Sequence, residues 1–437
     1  MCSIAGSKNN TEKMLETMKH RAPNGNNVIK LKDYEMGMGR LAIIDLNNSK
    51  FPFEYKDFVL SFNGEIYNYI ELREELKLLG HSFETKGDTE VLIHAFEQWG
   101  AGCLDRFNGM FAFAVYNRKN DILFLARDIA GEKPLYYKET NDGLEFASEA
   151  KSLGICNELE PAHYLWYEFK NKQLIIRRWW EFKPIKINLD TVVEDLESLL
   201  EDSIRLRTRS DVPYGLYLSG GMDSTIISTF HKFEHNFTYT EGDYEEEFKK
   251  VFPKIVWHLD YPVRHFSAFA LWKLAEMAKE NGVKVVMGGE GADELFGGYI
   301  RYMPDALYEQ AQKQFPSYKS MFPFKKTLQE RTLEEFNGNM REELRMRDRM
   351  SSAFGVEHRT PFFDRRIIEF AFSLPLEWRV RGFETKYILR KILEKRKPEY
   401  KHIEKAGLYC PVNKWIGSKQ IYEKDDYLVY QKQCLKK

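Results

Sequence analysis

Hydrophobic and polar residues alternate over short runs in the first 180 residues, a pattern typical of half-buried β-strands. Gly, Asn and Asp separate these runs, as the turns of antiparallel sheets require. The runs predict strands at Asp57–Phe62, Gly109–Tyr116, Asp121–Ala126, Pro134–Lys138 and Gly143–Ala147. Apolar residues at helical spacing predict helices at Asn10–Lys19, Asn68–Leu79 and Asp88–Trp99.

The pattern changes near residue 185, where Trp179–Pro184 predicts a last strand that runs into a linker. Beyond it, strands alternate with helices, which indicates a parallel sheet. The predicted elements are a helix at Leu189–Arg207, strands at Tyr214–Leu218 and Lys284–Met287, a helix from Ser224, and helices from Asp305 onward. We therefore predict two domains, an antiparallel layered domain at 2–184 and an α/β domain with a helical C-terminal part at 185–437.

Charge and composition exclude several classes of protein. Lys and Arg number 65 and Asp and Glu 66, so the net charge of -1 does not supply the positive field that binds nucleic acid or anionic membranes. No run approaches the roughly 20 apolar residues of a membrane span, and the first residues lack the pattern of a signal peptide. The five cysteines form no CxxC pair. We expect a cytoplasmic protein that binds small molecules.

Cys2 is the first candidate for catalysis. It directly follows the initiator Met, whose removal would make Cys2 the first residue of the chain. Its free α-amino group could then act as the general base for its own thiol, so one residue would supply both nucleophile and base.

Polar residues elsewhere in this half complete a pocket for an amino acid. Arg40 can hold a carboxylate, while Glu65 and Asp88 can hold an ammonium group. Asn63 and Gly64 follow an apolar run and can donate N–H groups to an oxyanion. Each residue alone would be an ordinary turn or surface residue. Together they indicate a site for a free amino acid that carries an acyl group on its side chain.

A second constellation follows the first strand of the α/β half. Ser219–Thr225 reads SGGMDST and opens a helix, so its backbone N–H groups and hydroxyls can surround phosphate oxygens. It lacks the ending of a Walker loop. Asp223 would repel phosphates unless a cation lay between them, which predicts Mg²⁺. The turn Gly288–Tyr299 follows the next strand and brings Asp293 to the same sheet edge.

The N-terminal motifs resemble the glutaminase domain of class II glutamine amidotransferases. The matching segments are residues 2–6, 20–21, 40–45, 62–69, 87–90, 108–113, 127–128 and 146–149. The resemblance implies an N-terminal-nucleophile αββα sandwich in which Cys2 attacks glutamine and releases ammonia. It further implies that Asn63 and Gly64 form the oxyanion hole. The residues implied to hold glutamine are Arg40, Ile44, Asn63, Gly64, Glu65 and Asp88.

The second half resembles the synthetase domain of the asparagine synthetase family, an ATP pyrophosphatase. The residues implied to bind ATP are Leu218, Ser219, Gly220, Gly221, Asp223, Ser224, Tyr239, Gly288 and Gly289. Asp223 and Asp293 are the implied Mg²⁺ ligands. Glu290 is implied to help ammonia lose its proton, and Lys405 to stabilise charge on the phosphates. Asp348, Arg349 and Arg359 are expected to form structural ion pairs.

The leading prediction is a glutamine-dependent amide ligase of the asparagine synthetase type that uses ATP and Mg²⁺ and converts aspartate to asparagine. The chain departs from the family pattern in several places, and two departures bear on the acceptor: Gly288 replaces Ser, and the interval 225–284 is short. Both fall in the acceptor half, so one alternative is the same chemistry on another carboxylate, such as a sugar acid. The other alternative is a binding protein without catalysis. A homodimer is compatible with the family, and the sequence leaves the oligomeric state open.

Overall fold

Two antiparallel sheets form the first half of the molecule. The computed structural model describes residues 2–47, 50–240, 242–261, 267–299, 328–400 and 410–415. The strands of this half are β1 Ser3–Ser7, β2 Asn26–Lys30, β3 Glu35–Gly39, β4 Phe53–Tyr55, β5 Phe58–Ile66, β6 Gly109–Asn117, β7 Ile122–Arg127, β8 Tyr136–Thr140, β9 Gly143–Ala147, β10 Asn157–Glu158, β11 His163–Glu168 and β12 Gln173–Arg178. One sheet has the order β10-β8-β9-β1-β3-β2 and the other β12-β11-β7-β6-β5-β4.

These sheets are the middle two of four layers. The helices of this half are α1 Thr11–Thr17, α2 Tyr69–Leu78 and α3 Asp88–Trp99. Helix α1 packs Met14 and Leu15 on the first sheet, while α2 and α3 pack Leu72, Leu76 and Val91 on the second. The facing sides of the sheets bury a core of their own, which includes Ile4, Met36, Met38, Val59, Ala112 and Leu125. This arrangement is the predicted αββα sandwich.

A four-stranded parallel sheet organises the second half. Its strands are β13 Tyr214–Tyr217, β14 His235–Phe237, β15 Val285–Met287 and β16 Glu357–Arg359, in the order β14-β13-β15-β16. The helices are α4 Val192–Arg207, α5 Met222–Phe230, α6 Glu245–Leu259, α7 Ala268–Glu280, α8 Ala292–Phe296, α9 Leu328–Asn337, α10 Asn339–Ser352, α11 Arg365–Ser373, α12 Leu376–Arg379, α13 Tyr387–Arg396 and α14 Val412–Trp415. The predicted α/β domain with a helical C-terminal part is therefore confirmed.

Two expectations about local structure need revision. Trp179–Pro184 is not a strand, because the last strand of the second antiparallel sheet, β12, ends at Arg178. Strand β16 was not predicted, since its three residues are all polar although all are buried. The region predicted as helical from Asp305 begins outside the described residues, and its part at 328–400 carries α9 to α13 and β16. None of the helices in the described ranges combines the length and apolar character that a bilayer crossing needs.

Buried ion pairs join the two halves. Arg21, which has no exposed surface, donates to both carboxylate oxygens of Asp348 at 2.8 and 3.0 Å and to Glu149 at 3.0 Å. Its Nε also donates to the carbonyl of Cys2 at 3.0 Å. Arg349 lies 2.9 Å from the same Glu149. An α10 carboxylate therefore fixes the guanidinium that supports the backbone at Cys2.

We expect Asp348→Ala to destabilise the protein by about 3–5 kcal/mol, because it leaves the Arg21 guanidinium buried with one anionic partner fewer. Urea unfolding followed by fluorescence would measure the loss. The control is Glu394→Ala, which removes an exposed pair with Lys391 and should cost less than about 1 kcal/mol. Equal effects of the two substitutions would contradict a structural role for the buried pair.

Candidate active sites

One cavity contains most of the groups predicted to bind glutamine. Cys2, Arg40, Ile44, Gly64, Glu65 and Asp88 all line it, together with Met38, Leu41, Ile43, Asp45, Lys50, Phe51, Phe62, Gly87 and Thr89. The residues come from the position just before β1, from β3 and the residues between β3 and β4, from β5, and from Gly87 and the start of α3, so distant parts of the chain converge. Residues 48 and 49 lie outside the described residues.

Asn63 and Gly64 lie in β5 beside the cysteine. The side-chain oxygen of Asn63 accepts a hydrogen bond from the backbone nitrogen of Cys2 at 3.1 Å. Its amide nitrogen is buried and has no hydrogen-bond partner among the described residues. A buried donor of this kind almost always has a partner. The amide is therefore available to donate to an anion that forms next to Cys2.

Position 64 requires a glycine because β6 passes close to it. Its φ of +150° is rare for residues with side chains, and a Cβ would lie 2.1 Å from the carbonyl oxygen of Met110. No larger residue fits without moving β6. The glycine thus keeps the strand close to its neighbour next to the predicted oxyanion position.

Two of the acidic residues that line the cavity, Glu65 and Asp88, are buried and hold their protons more tightly than usual. Burial raises the pKa of Asp88 to about 6, although its Oδ2 accepts a hydrogen bond from the Ile66 N–H at 2.9 Å. Burial and the nearby Asp88 raise the pKa of Glu65 well above its usual range. A positive charge next to both carboxylates would stabilise their ionised forms, and the α-ammonium group of an amino acid carries such a charge.

The cysteine thiol is also held in its neutral form. Burial raises the pKa of Cys2, and its Sγ lies 3.9 Å from the Leu41 carbonyl oxygen. A neutral thiol needs a base at the moment of attack. Arg40 donates to the carbonyl oxygens of Ile44 and Asp45 at 3.3 and 2.6 Å, which orients its guanidinium at the cavity wall.

The predicted phosphate loop has the shape of an anion site. Gly220 has a φ of +75°, and α5 begins directly after Gly221. The hydroxyls of Ser219 and Ser224 lie 3.1 Å apart, and Ser219 Oγ accepts from the Gly221 N–H at 3.3 Å. The second turn lies against this loop, since a Cβ at Gly289 would be 2.7 Å from the Cβ of Asp223. The two predicted halves of the nucleotide site therefore meet.

Asp223 and Asp293 converge on one positive charge. Lys386 Nζ lies 2.6 Å from Asp223 Oδ1 and 2.5 Å from Asp293 Oδ1. Two carboxylates that share one cationic group can also share a hard divalent cation, so the donor set fits Mg²⁺. Lys386 is not among the residues predicted from the sequence; it is buried and has a φ of +53° just before α13. No local pattern signals that a lysine 163 residues from Asp223 contacts it.

Glu290 lies within a buried charge network. Arg347 of α10 lies 2.5 Å from its Oε1, and His358 Nε2 lies 3.1 Å from its Oε2. Burial alone would raise the pKa of Glu290, but these two neighbours lower it to about 2. Sequence reasoning identified Glu290 and missed both neighbours, since their positions on α10 and β16 become adjacent only through the sheet and helix packing.

The other predicted nucleotide residues are less closely grouped. The Leu218 carbonyl accepts from Thr238 Oγ1 at 2.6 Å, which orders the end of β13. Tyr239 packs its ring near Tyr244, with 5.8 Å between the centroids. The Tyr400 hydroxyl donates to the Gly220 carbonyl at 3.2 Å and is a loop contact that the sequence did not indicate. Lys405 lies outside the described residues.

Strand β16 lies between the two sites. Arg359 has no exposed surface, and its guanidinium lies 3.3 Å from Glu65 in the first cavity and 2.9 Å from Glu357. Because successive side chains of a strand point to opposite faces, His358 points the other way, towards Glu290. A single strand therefore contacts a residue of each site.

Comparison with known proteins matches both halves of the chain. A family model for the glutamine amidotransferase domain matches residues 1–180, and one for asparagine synthase matches residues 195–242 and 229–428. Asparagine synthetase [glutamine-hydrolyzing] 1 of Bacillus subtilis is 29% identical over 533 aligned positions, which cover 93% of this chain and 84% of the relative. A putative asparagine synthetase of Mycobacterium tuberculosis is 30% identical, with the same two coverages of 93% and 84%. Among solved structures, the glutamine phosphoribosylpyrophosphate amidotransferase of B. subtilis has a TM-score of 0.37 and 15% identity, over 66% of this chain and 81% of that chain.

These matches define a glutamine-dependent amide ligase, an enzyme in which an amidotransferase domain precedes a synthetase domain that uses ATP. The chain belongs to the glutamine-hydrolysing asparagine synthetase family. The 533 aligned positions exceed the 437 residues of this chain, so the B. subtilis relative has segments that are missing here. The asparagine synthase model matches in two segments that overlap at residues 229–242. This overlap lies within the interval 225–284, which is shorter in this chain than in the family pattern.

We expect Gly64→Ala to destabilise the protein by about 3–5 kcal/mol, since it adds a clash with β6 to an unfavourable φ. Gly80→Ala is the matched control, because Gly80 also has a positive φ, +94°, but has nothing within 4 Å of a Cβ. It should cost only about 1–2 kcal/mol. Thermal and urea unfolding would compare them, and equal losses would show that β6 does not constrain residue 64.

Proposed function

We propose that this protein is a glutamine-dependent asparagine synthetase, in which residues 2–184 release ammonia from glutamine and residues 185–437 use it to amidate aspartate. The position of β16 between the two sites carries this proposal, because Arg359 contacts the cavity of Cys2 while the adjacent His358 contacts Glu290. Ammonia released in the first cavity would then have a short route to the second site. Free ammonium in water is protonated and is not a nucleophile, so a short internal route favours the coupled reaction.

In the proposed first step, Cys2 attacks the side-chain amide of glutamine. With Met1 removed, the α-amino group of Cys2 takes the thiol proton, and Asn63 accepts a hydrogen bond from that nitrogen. The unpaired amide of Asn63 and the N–H of Gly64 donate to the tetrahedral oxyanion. Asp88 and Glu65 bind the α-ammonium, and Arg40 binds the α-carboxylate. Ammonia leaves, and water then hydrolyses the thioester to glutamate.

In the proposed second step, the acceptor carboxylate attacks the α-phosphorus of ATP and pyrophosphate leaves. Adenylation is needed because ammonia cannot displace an oxygen from a free carboxylate, whereas AMP is a good leaving group. The Ser219–Ser224 loop binds the phosphates through its N–H and hydroxyl groups. Asp223 and Asp293 would hold Mg²⁺, which would neutralise phosphate charge. Lys386, which contacts both carboxylates, would supply a further positive charge next to the phosphates.

The acceptor could also be another carboxylate, and one observation favours keeping this alternative. Gly288 leaves room that the imidazole of His358 and the carboxylate of Glu290 occupy, since a Cβ at 288 would lie 2.5 and 2.0 Å from them. This wall of the proposed acceptor site therefore differs in shape from one that carries a serine at 288.

Product analysis tests the proposal. The protein is incubated with ATP, Mg²⁺, aspartate and glutamine labelled with ¹⁵N at the amide. We expect ¹⁵N-asparagine, glutamate, AMP and pyrophosphate in equal amounts. AMP formation that depends on a different carboxylate would identify another acceptor, and ADP formation would contradict adenylation. Absence of glutamine turnover would support a binding protein without catalysis.

Cys2→Ala is the matched control for coupling. The variant should lose glutamine-dependent synthesis by several orders of magnitude, because the nucleophile is gone. It should still form asparagine from ammonium salts, because the second site is unaltered. Loss of both activities would mean that the substitution acts on the whole protein.

The raised pKa of Asp88 predicts an acidic limit to glutamine use. Below about pH 6 the carboxyl is protonated and binds the α-ammonium poorly, so kcat/KM for glutamine should fall tenfold for each further pH unit. Above that pH the carboxylate is ionised and this limit disappears. Glutamate release measured from pH 4.5 to 8 would show the profile.

Asp88→Asn is the control, because its side-chain oxygen can still accept from the Ile66 N–H. The variant should have a low kcat/KM at every pH and should lack the limit near pH 6. If the limit persists, another group such as Glu65 causes it.

A further inference from the structure

Arg359 is a residue of the second half that reaches the glutamine cavity of the first half. It is the last residue of β16 and has no exposed surface. One of its guanidinium nitrogens, Nη2, lies 3.3 Å from Oε1 of Glu65, and Glu65 lines the cavity. The guanidinium carbon also lies 5.4 Å from the ring centre of Tyr67, two residues further along the chain. The steps proposed above give this arginine no chemical role.

The second half holds the rest of the Arg359 guanidinium in place. Its Nε donates a hydrogen bond to Oε1 of Glu357 at 2.9 Å. Its Nη1 donates to the backbone carbonyl oxygens of Arg207 and Arg209, at and just beyond the end of α4, at 2.8 and 2.7 Å. Because the guanidinium is planar and rigid, these three bonds fix its direction. The remaining nitrogen, Nη2, is the one that lies next to Glu65.

Both groups in this contact have unused hydrogen-bonding capacity. Nη2 of Arg359 is buried and has no hydrogen-bond partner among the described residues, so the 3.3 Å contact with Glu65 is an ion pair without an aligned hydrogen bond. Oε2 of Glu65 is also buried and unpaired within the described ranges. Buried polar atoms nearly always have partners, so this carboxylate is suited to a donor that enters the cavity. The α-ammonium group of an amino acid is such a donor and carries a positive charge.

Opposing charges surround the Glu65 carboxyl. Burial and the carboxylates of Asp88 and Glu357 raise its pKa, whereas Arg359 and the positive amino terminus lower it. The further titratable groups in the described ranges that interact with this carboxyl are Cys2 and Tyr69. Arg359 is therefore the side chain that opposes burial and the two neighbouring carboxylates.

We propose that Arg359 is a positioning residue for glutamine: it pairs with Glu65 from the second half, while the α-ammonium group of glutamine pairs with Glu65 from the cavity. This inference rests on the proposed function, because it assumes that glutamine occupies the cavity. Between two cations the carboxylate is ionised and binds the ammonium group strongly. Without Arg359, burial and two carboxylates oppose ionisation, and the ammonium group alone must overcome them. The glutamine site is therefore incomplete without the second half.

The first test compares two substrates in the full-length protein. Glutaramate is glutamine without its α-amino group, so it has no ammonium group for Glu65 to bind. We expect Arg359→Gln to lower kcat/KM for glutamine about tenfold or more, mainly through KM, and to keep kcat/KM for glutaramate within about threefold of the wild-type value. Ammonia release measures both reactions. An equal loss with both substrates would overturn the proposal and leave Arg359 as a structural residue only.

Arg207→Gln is the matched control, because Arg207 is also buried and also packs on Tyr67, at 4.6 Å from the ring centre. Its ion pair is made with Asp364 and not with Glu65. The variant should keep KM for glutamine within about threefold of the wild-type value. Arg359→Lys keeps the positive charge and should recover most of the affinity that Arg359→Gln loses. Equal KM values in the lysine and glutamine variants would contradict a role for the charge.

The pH dependence separates an effect of charge from an effect of structure. Arg359→Gln removes a positive charge, so both acids of the cavity keep their protons to higher pH, and the acidic limit of kcat/KM for glutamine should move to higher pH. Glu357→Gln removes a negative charge, while its side-chain oxygen can still accept from Arg359 Nε. Its limit should move to lower pH.

Two shifts in the same direction would overturn the proposal, because a purely structural role predicts the same kind of loss from both substitutions. Glu357→Gln leaves Arg359 in place and so decides the question even where Arg359→Gln does not fold. A limit that does not move to lower pH in Glu357→Gln would overturn the proposal by itself.

Failure of the proposed function is recognised in the wild-type protein. If wild-type protein releases no glutamate from glutamine, the proposed function fails and the role of Arg359 fails with it. If wild-type protein hydrolyses glutamine and Arg359→Gln does so with the same KM, only the role of Arg359 fails.

Discussion

The structure depends on charged side chains buried between its two halves. Arg21 and Arg359 have no exposed surface, and each contacts carboxylates from both the antiparallel sandwich and the parallel sheet domain. A buried guanidinium without such partners would be costly, so neither half can hold these residues alone. Only the joined protein satisfies the charges. These ion pairs add directional contacts to the apolar ones between the halves, where Ile129, Ala130 and Ala162 join the core of the second half and Leu41 and Ile43 contact Val285.

The same burial sets the properties of the reactive groups. Desolvation raises the pKa values of Cys2, Glu65 and Asp88, which lie where a substrate cation would restore the balance of charge. In the second site, Arg347 has the opposite effect and keeps Glu290 ionised. Two sites on either side of one strand therefore present carboxylates of very different basicity. Membership in the asparagine synthetase family is consistent with such paired sites, one for glutamine and one for an activated carboxylate.

Sequence reasoning succeeded where an element has a strong local pattern. The helix predicted at Asp88–Trp99 and the strand at Gly143–Ala147 have the predicted bounds, because amphipathic spacing reflects which face is buried. It failed at β16, whose three residues are polar, and at Trp179–Pro184, whose aromatic residues pack without strand pairing. In both cases burial was set by residues far away in the chain, which a local pattern does not contain.

The sequence by itself determined the family, the two kinds of domain and the reactive residue types, because motifs such as Ser219–Thr225 and the cysteine at position 2 are local. Only the tertiary structure decided which groups meet. Lys386 reaches Asp223 and Asp293, and His358 reaches Glu290 beside Gly288, through contacts between segments well separated in sequence. The physical reason is that a charge's partner depends on distance in space, and sheet order and helix packing set that distance.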